Sequence, residues 1–317
     1  MIILETDKNA KDGLSVIIPC YDSNIEWLVD CLHSVLNALK GVQGFLEIIV
    51  VDDGSEVPLF SMLDSSPRLV KMELIRVIRK SNGGLSSARN EGIKRSKGRW
   101  CHFIDDDDLV AESFYVELLP LLTKSSSSFA YCDSEFFNEN TRFPFVTPSP
   151  NEFSARMIIG NCIHVNSVII ETRLLEKLGG FDESLNGLED WDMWLRCLRD
   201  GMTIQHVPKV LVSVRLRGGS MSTNRNRMYS RMTELSLREW NANSDFWFRV
   251  LQNRKNIENW VKATLTYAFR SENILNAIIA AIQAMKSRVG LLRLVLLVSR
   301  QTLRAIWVKD NSEHSRL

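Results

Sequence analysis

With 317 residues, 45% of them apolar and 24% charged, the chain has the composition of an ordinary globular protein and the length for one large domain or a domain with an appendage. A net charge of +1 excludes a global field of the kind that draws in nucleic acid. No stretch reaches the ~18 consecutive apolar residues of a membrane-spanning helix, and the N-terminal MIILETDKNAKDG, acidic and without an apolar core, does not read as a signal peptide.

From the N-terminus, apolar runs of strand length alternate with helical patterns. Strands are expected at 14–18 (LSVII), 45–51 (FLEIIVV), 72–78 (MELIRVI), 99–104 (RWCHFI) and 128–133 (SFAYCD), with helices near 25–39, 85–97 and 112–123. This alternation predicts β-α-β units, hence an α/β fold with a mostly parallel central sheet flanked by helices. From 134 to 160 the pattern loosens, and PFVTPSPN (144–151) reads as a loop. A strand at 166–170, a short helix, the helix-like GLEDWDMWLRCLRDG (187–201), a strand pair near 203–214 and further helices follow. Cys20, Cys31, Cys101, Cys132, Cys162 and Cys197 are scattered without metal-ligand spacing, so each is expected as a reduced, small apolar residue of a cytoplasmic protein.

In an open parallel sheet, ligands bind outside the carboxyl ends of the strands. Here those ends carry Pro19-Cys20-Tyr21-Asp22, Asp52-Asp53-Gly54-Ser55, Asn82-Gly83-Gly84 and Asp105-Asp106-Asp107-Asp108. Four adjacent carboxylates repel, and more so where the dielectric is low, so they call for a cation. If extended, Asp105 and Asp107 share a face, and such hard oxygen ligands suit Mg²⁺ or Mn²⁺ shared with substrate phosphates. The plain alternative, a helix cap with first-turn acids, accounts for Asp108 but not for four acids. At Asp52-Asp53, capping and a nucleotide contact stand as alternatives.

The Gly83-Gly84 pair opens a helix and can cradle phosphate. Leu85, Ala88, Gly92 and Ser96 give that helix a small-residue face, and Gly98 is expected to stop it. Arg89 can meet a diphosphate or simply be a solvated helix arginine. In 187–201, Trp191, Trp194, Leu195 and Leu198 recur at helical spacing as an apolar stripe, with Asp192, Arg196 and Arg199 on the other face. Glu189 and Asp190 at its start either complement the helix dipole or, beside two tryptophans, serve as general base on a hydroxyl.

Together SVIIPCYDS, EIIVVDDGS, NGGLSSARNEGI, HFIDDDDLV, GGFDE and LEDWDMWLR, in this order over residues 13 to 222, closely resemble the family 2 glycosyltransferases with a GT-A fold. The resemblance implies a catalytic domain over 1–222, with a nucleotide-sugar half about 13–133 and an acceptor half about 134–222, and a C-terminal helical extension over 223–317. It places Asp53 on the nucleotide base, usually uracil, with Pro19, Tyr21 and Asp22 lining that pocket. Asp105 and Asp107 match the DxD motif, Asp107 as main metal ligand and Asp105 toward ribose or metal, with Asp106 between them. Gly84 and Arg89 fall on the donor side, and Asp190 of the Glu189-Asp190 pair matches the catalytic base. The segment from Arg215 through Arg217 to Ser222 matches a loop closing over the diphosphate.

The implied reaction is an inverting, metal-dependent transfer from a nucleotide sugar, most often a UDP-sugar, to a hydroxyl of a glycan or polyprenyl-diphosphate-linked saccharide, as in O-antigen or capsule synthesis. Two positions depart from the family pattern: Asp22 stands where Asn is usual, and Arg217 where His is common. Arg217 is no metal ligand and can bind phosphate directly. The Q-x-x-R-W motif of processive synthases is absent, which favours transfer of one or a few sugars. The competing readings are a non-catalytic nucleotide-sugar-binding scaffold and a sugar-phosphate nucleotidyltransferase. The latter would carry a Gly-rich basic loop where PCYDS stands.

Residues 286–309 hold Lys286, Arg288, Arg293, Arg300, Arg304 and Lys309 and no acid. A basic stripe beside leucines and Trp307 suits an interfacial helix on anionic lipid, hence peripheral contact with the cytoplasmic face of the inner membrane. The alternative is a helix docked on the catalytic domain or on a partner in a homodimer.

Overall fold

The computed structural model describes residues 13–64, 74–125, 127–185, 187–217, 225–251 and 254–270. Its first half alternates strand and helix, with α2 an addition to the expected elements: β1 (Leu14–Cys20), α1 (Ile25–Leu39), β2 (Leu46–Asp52), α2 (Leu59–Asp64), β3 (Ile75–Arg79), α3 (Leu85–Arg95) and β4 (Trp100–Phe103). Then come β5 (Leu109–Val110), α4 (Phe114–Ser125), β6 (Phe129–Phe137), β7 (Arg142–Phe145), α5 (Pro150–Met157), β8 (Val168–Glu171), α6 (Thr172–Lys177), α7 (Glu189–Arg199), β9 (Ile204–Arg215), α8 (Arg225–Leu251) and α9 (Arg254–Arg270).

The strands form one sheet in the order β3-β2-β1-β4-β8-β6-β9-β5, with β7 on β6. From β3 to β4 every pairing is parallel. Beyond β4 the pairings of β8 with β4 and β6, of β7 with β6 and of β5 with β9 are antiparallel, while β6 and β9 are parallel. The sequence separates these halves: β1 and β2 are continuous apolar runs, as strands buried on both faces require.

Asn24 caps α1, accepting from the Glu26 and Trp27 amides through Oδ1. The helix then buries Leu28, Leu32, Val35 and Leu39 against Val16, Ile18, Ile48 and Val50 of the sheet, each fully buried aliphatic contributing ~1.5–3 kcal/mol. On the opposite face of β1, a Cβ at Gly92 of α3 would lie 2.3 Å from Ile17 Cγ2, so only glycine lets α3 sit this close. Gly98 does not stop α3. The helix ends at Arg95 with Ser96 extended, and Gly98 is required because a Cβ there would meet the backbone of Leu14 and Ser15 at 2.7 Å.

Three other expectations change. The strand pair near 203–214 is one strand, β9, whose register on β6 shifts between Cys132 and Ser134, partnering first Val207, then Val210 and Val212. Pro208, without an amide hydrogen, falls in that irregular stretch and splits the apolar pattern. Part of the expected loop, 144–151, is strand, for Pro144 and Phe145 of β7 pair with Glu135 and Ser134 of β6. On α7 the polar face is not solvated: Asp192 is 2% exposed and accepts from Arg196 Nε at 2.8 Å. All six cysteines are buried and free.

The chain divides into two compact units, one reaching to Pro150 and resuming over Cys162–Arg217, the other combining Asn151–Asn161 with residues beyond Gly218. In the second, α8 and α9 bury Trp260, whose Nε1 donates to Ser236 Oγ at 3.0 Å, and Tyr267 Oη donates to the Ile159 carbonyl at 2.9 Å. Among the described residues no helix is long and apolar enough to cross a membrane. The basic stretch 286–309 lies outside the described residues.

Candidate active site

The polar clusters gather along the carboxyl ends of β1, β2, β3 and β4. At β1, Pro19 lies in register with Val51, and Asp53 continues the ladder by donating its amide to the Cys20 carbonyl at 2.8 Å. Tyr21 is 55% exposed and available to a ligand face. Asp22 adopts a left-handed φ of 45° and ties the β1 and β2 loops, donating its amide to Ser55 Oγ at 3.0 Å and accepting from the Glu56 amide at 2.8 Å.

The two acids after β2 have separate work. Asp52 is structural: it accepts from the Ser55 and Leu59 amides and from Arg79 Nη1 at 2.8 Å. Burial pushes its pKa up, but those bonds and the Arg79 charge outweigh burial and hold it below the usual carboxylate value. Asp53, 3% exposed, accepts from Gly83 N at 3.1 Å, Gly84 N at 2.7 Å and Lys80 Nζ at 2.7 Å. The glycine amides thus bind the Asp53 carboxylate, and Gly84 takes the φ of 88° that the turn into α3 demands.

Asp105 to Asp108 are not extended. They form a turn closed by Asp108 N donating to the Asp105 carbonyl at 3.1 Å, so alternation does not set their directions. Each side chain takes a different partner. Asp105 accepts from Arg89 Nη2 at 2.9 Å, Asp106 from Ser23 Oγ, Asp107 pairs with Arg217 Nε at 3.0 Å, and Asp108 accepts from Asn166 Nδ2 and from the Arg215 amide at 2.7 Å. Asp108 therefore caps no helix; it pins the turn to β9. Asn166 also accepts the Asp105 amide through Oδ1 at 3.1 Å.

Arg215 donates from Nε to the Asp107 carbonyl at 3.0 Å while its guanidinium lies over the rings of Trp27 and Phe137. Burial, with Asp105 and Asp107 adding like charge against the Ser23 hydroxyl, pushes Asp106 up to about 6. Burial raises Asp107 too, against Arg217, and raises Asp108 further with help from Asp105 and Asp107. Burial is the largest cause at all three acids, and the neighbouring carboxylates add to it.

Arg89 is neither a solvated helix arginine nor open to a ligand at its two Nη atoms. It is 1% exposed and spans from Asp105 to Glu189, donating Nη1 to Glu189 Oε1 at 2.7 Å. Glu189, itself 5% exposed, opens α7 after the left-handed Leu188, and Asp190 follows with Oδ1 accepting the Trp191 amide at 2.7 Å. Burial opposes the Arg89 charge, but Asp105, Glu189 and Asp190 together raise its pKa. Arg89 thus places Glu189 and Asp190 beside the aspartate turn, across 100 residues of sequence.

Among the described residues no group of three or more His, Cys, Asp or Glu side chains is disposed to hold a metal ion. Asp105 and Asp107 are hard oxygen donors of the type that Mg²⁺-like ions take in small number alongside substrate oxygens, and here they are paired with Arg89 and Arg217. Sequence reasoning missed Lys80 on Asp53, Ser23 on Asp106 and Asn166 on Asp105 and Asp108, because each is a lone polar residue outside any pattern.

The parallel half-sheet with acids at its strand ends, joined to an antiparallel half that returns to the same turn, is a GT-A type α/β architecture. Residues 15–168 match the family Glycosyl transferase family 2, and residues 151–272 match Glycosyltransferase like family 2. The chain belongs to the family 2 glycosyltransferases.

Among its relatives, an uncharacterized glycosyltransferase of Rickettsia bellii is 28% identical over 220 residues, covering 68% of this chain and 31% of that protein. Another from Rickettsia typhi is 30% identical over 195 residues, 59% of this chain and 58% of that protein. This chain therefore spans 31% of the length of the first of those relatives and 58% of the second. Escherichia coli WfgD, a UDP-Glc:alpha-D-GlcNAc-diphosphoundecaprenol beta-1,3-glucosyltransferase, is 27% identical over 237 residues, 74% of this chain and 86% of that one. In fold, the chain is similar to Staphylococcus aureus TarS in complex with UDP, with TM-score 0.58 and 17% identity over 87% of this chain and 88% of that one. The same protein is also known in complex with UDP-GlcNAc.

Proposed function

We propose that the chain transfers one sugar at a time from a UDP-sugar to a hydroxyl of a glycan or polyprenyl-diphosphate-linked saccharide in O-antigen- or capsule-type synthesis, with inversion. The observation that carries this reading is the junction of the aspartate turn with the start of α7 through Arg89. The acids proposed for the cation and for the base thus lie on two segments that one arginine joins. The UDP preference is supported by WfgD, named for UDP-Glc, and by TarS, seen with UDP and UDP-GlcNAc. WfgD is also named for a diphosphoundecaprenol-linked acceptor, which supports a lipid-linked acceptor here.

The residues divide the work as follows. Asp53, fixed by two glycine amides and Lys80, receives the nucleotide base in a pocket lined by Pro19, Tyr21 and Asp22, with Gly84 at its edge. Asp105 and Asp107 would hold Mg²⁺ or Mn²⁺, which would supply positive charge against that growing on the departing diphosphate. Arg217 leaves Asp107 for the diphosphate, to which a guanidinium offers two parallel donors. Asp190 accepts the proton of the acceptor hydroxyl as its oxygen bonds to the anomeric carbon, and the bond to the diphosphate breaks on the opposite face. The catalytic part covers 1–222. The extension beyond it carries the basic stretch 286–309 as the element that meets the cytoplasmic membrane face.

The test is nucleotide release by purified protein with Mn²⁺ or Mg²⁺ from a panel of UDP-, dTDP- and GDP-sugars, with a lipid extract as acceptor. Release from a UDP-sugar and an inverted anomeric signal in the product are expected. Retention of configuration overturns the single displacement.

A further inference from the structure

We propose that Arg89 is a positioning residue that locks the donor-side aspartate turn and the base-bearing start of α7 into one geometry, its two Nη atoms acting as a rigid fork between Asp105 and Glu189. The inference rests on the transferase reading and adds to it a residue that touches neither sugar nor nucleotide.

Four observations converge on this role. Arg89 is 1% exposed, yet it sits on α3, a helix whose neighbouring Lys94 and Arg95 face solvent as its composition would predict. Its two contacts, at 2.9 Å to Asp105 and 2.7 Å to Glu189, join segments 16 and 100 residues away in sequence. Its Nε, by contrast, is buried with no hydrogen-bond partner among the described residues. The two Nη contacts thus hold the side chain in place although its orphan Nε costs ~1–3 kcal/mol. Finally, the depth at which α3 lies is set by Gly92, three residues along the same helix, which packs against Ile17 of β1.

The physical consequence is angular control. A guanidinium presents its donors in a fixed plane, so the carboxylates it binds are held in direction as well as distance. Phe181, its ring 5.4 Å from the guanidinium carbon, closes one side. The charged groups around Arg89 are Asp105 on the turn and Glu189 and Asp190 on α7. Asp105, which would offer the cation an oxygen, is bonded by Arg89 directly, while Asp190, the proposed base, follows the bonded Glu189 in the chain. A lysine would keep the charge but, as a point donor, would fix only one carboxylate at a time.

The experiment compares Arg89→Lys with wild type in the full chain, reading Tm together with kcat and donor KM for nucleotide release. The expected result is a Tm within a few degrees of wild type, a donor KM within about threefold, and a kcat lower by ~10–100-fold, the scale of a small misplacement of reacting groups. Wild-type kcat in Arg89→Lys overturns the inference, because charge alone would then suffice. A rise in KM with kcat intact also overturns it, by making Arg89 a donor contact.

Should Arg89→Lys not fold, a double-mutant cycle in Tm with Asp105→Asn and Glu189→Gln decides. The two substitutions act on one arginine, so their effects are expected to be non-additive. Strict additivity refutes the bridge. If the wild type releases no nucleotide from any donor, the transferase reading fails and the positioning role fails with it, while the cycle still reads the bridge itself.

Discussion

Asp106→Asn is expected to stabilise the free protein at neutral pH, a result opposite to that of most substitutions of buried polar groups. Burial and the flanking acids push Asp106 up to about 6 from 3.8. An acid whose folded pKa is raised binds a proton in the folded state that the unfolded state has already lost. Folding stability attributable to it therefore falls as pH rises from about 4 to about 6. A displacement of about 2 units corresponds to ~3 kcal/mol above pH 6. Asparagine keeps an oxygen for the Ser23 hydroxyl and carries no charge.

The assay is thermal unfolding of both proteins from pH 4 to 8 without divalent cations. The difference in stability should be near zero at pH 4 and grow to ~2–3 kcal/mol by pH 7, or several degrees in Tm for a domain of this size. The difference matters rather than either curve alone, because His102 and His164 are both lowered to about 4 by burial. They withdraw stability as pH falls from about 6.5 to 4, masking Asp106 in the wild type. A flat difference curve, or an Asn variant less stable at pH 7, refutes the upward displacement of Asp106 by burial and its neighbouring acids.

His164 should withdraw stability as pH falls from about 6.5 to 4, so the His164→Asn stability curve is expected to lie flatter than wild type over that window by ~2–3 kcal/mol; an unchanged slope by chemical denaturation would contradict it. Gly92→Ala should cost ~1–3 kcal/mol, since its methyl would have to enter the space of Ile17 Cγ2; a neutral effect on urea midpoint would show that α3 can shift freely. Arg217→Ala should strengthen Mn²⁺ binding without nucleotide, read by electron spin resonance, by freeing an oxygen of Asp107, and should weaken nucleotide release. Weaker Mn²⁺ binding would mean that Arg217 supports the site instead of competing for it.

The parallel half of the fold is legible because its strands are unbroken apolar runs and its helices carry clean periods. The 25–39 helix and the close packing of Gly92 follow from local pattern. The antiparallel half is harder, since β9 holds Pro208 and changes register, and β7 reads as loop because Pro144 interrupts it. The candidate site residues were visible as types but not as partners. Nothing in a helix sequence distinguishes a buried Arg89 from a solvated one, because its two carboxylates lie 16 and 100 residues away. Asp192 shows the converse, a charge that the helical wheel assigns to solvent and tertiary packing buries beside Arg196.

The central claim is that Asp107 and Asp190 serve one transfer from a nucleotide sugar. Its most direct test is nucleotide release by wild type, Asp107→Asn and Asp190→Asn, each with Mn²⁺, the preferred donor and a lipid-extract acceptor, beside calorimetric UDP binding. The account predicts release by wild type, loss of release and of metal-dependent UDP binding in Asp107→Asn, and loss of release with UDP binding kept in Asp190→Asn. Wild-type rates in Asp190→Asn would contradict it.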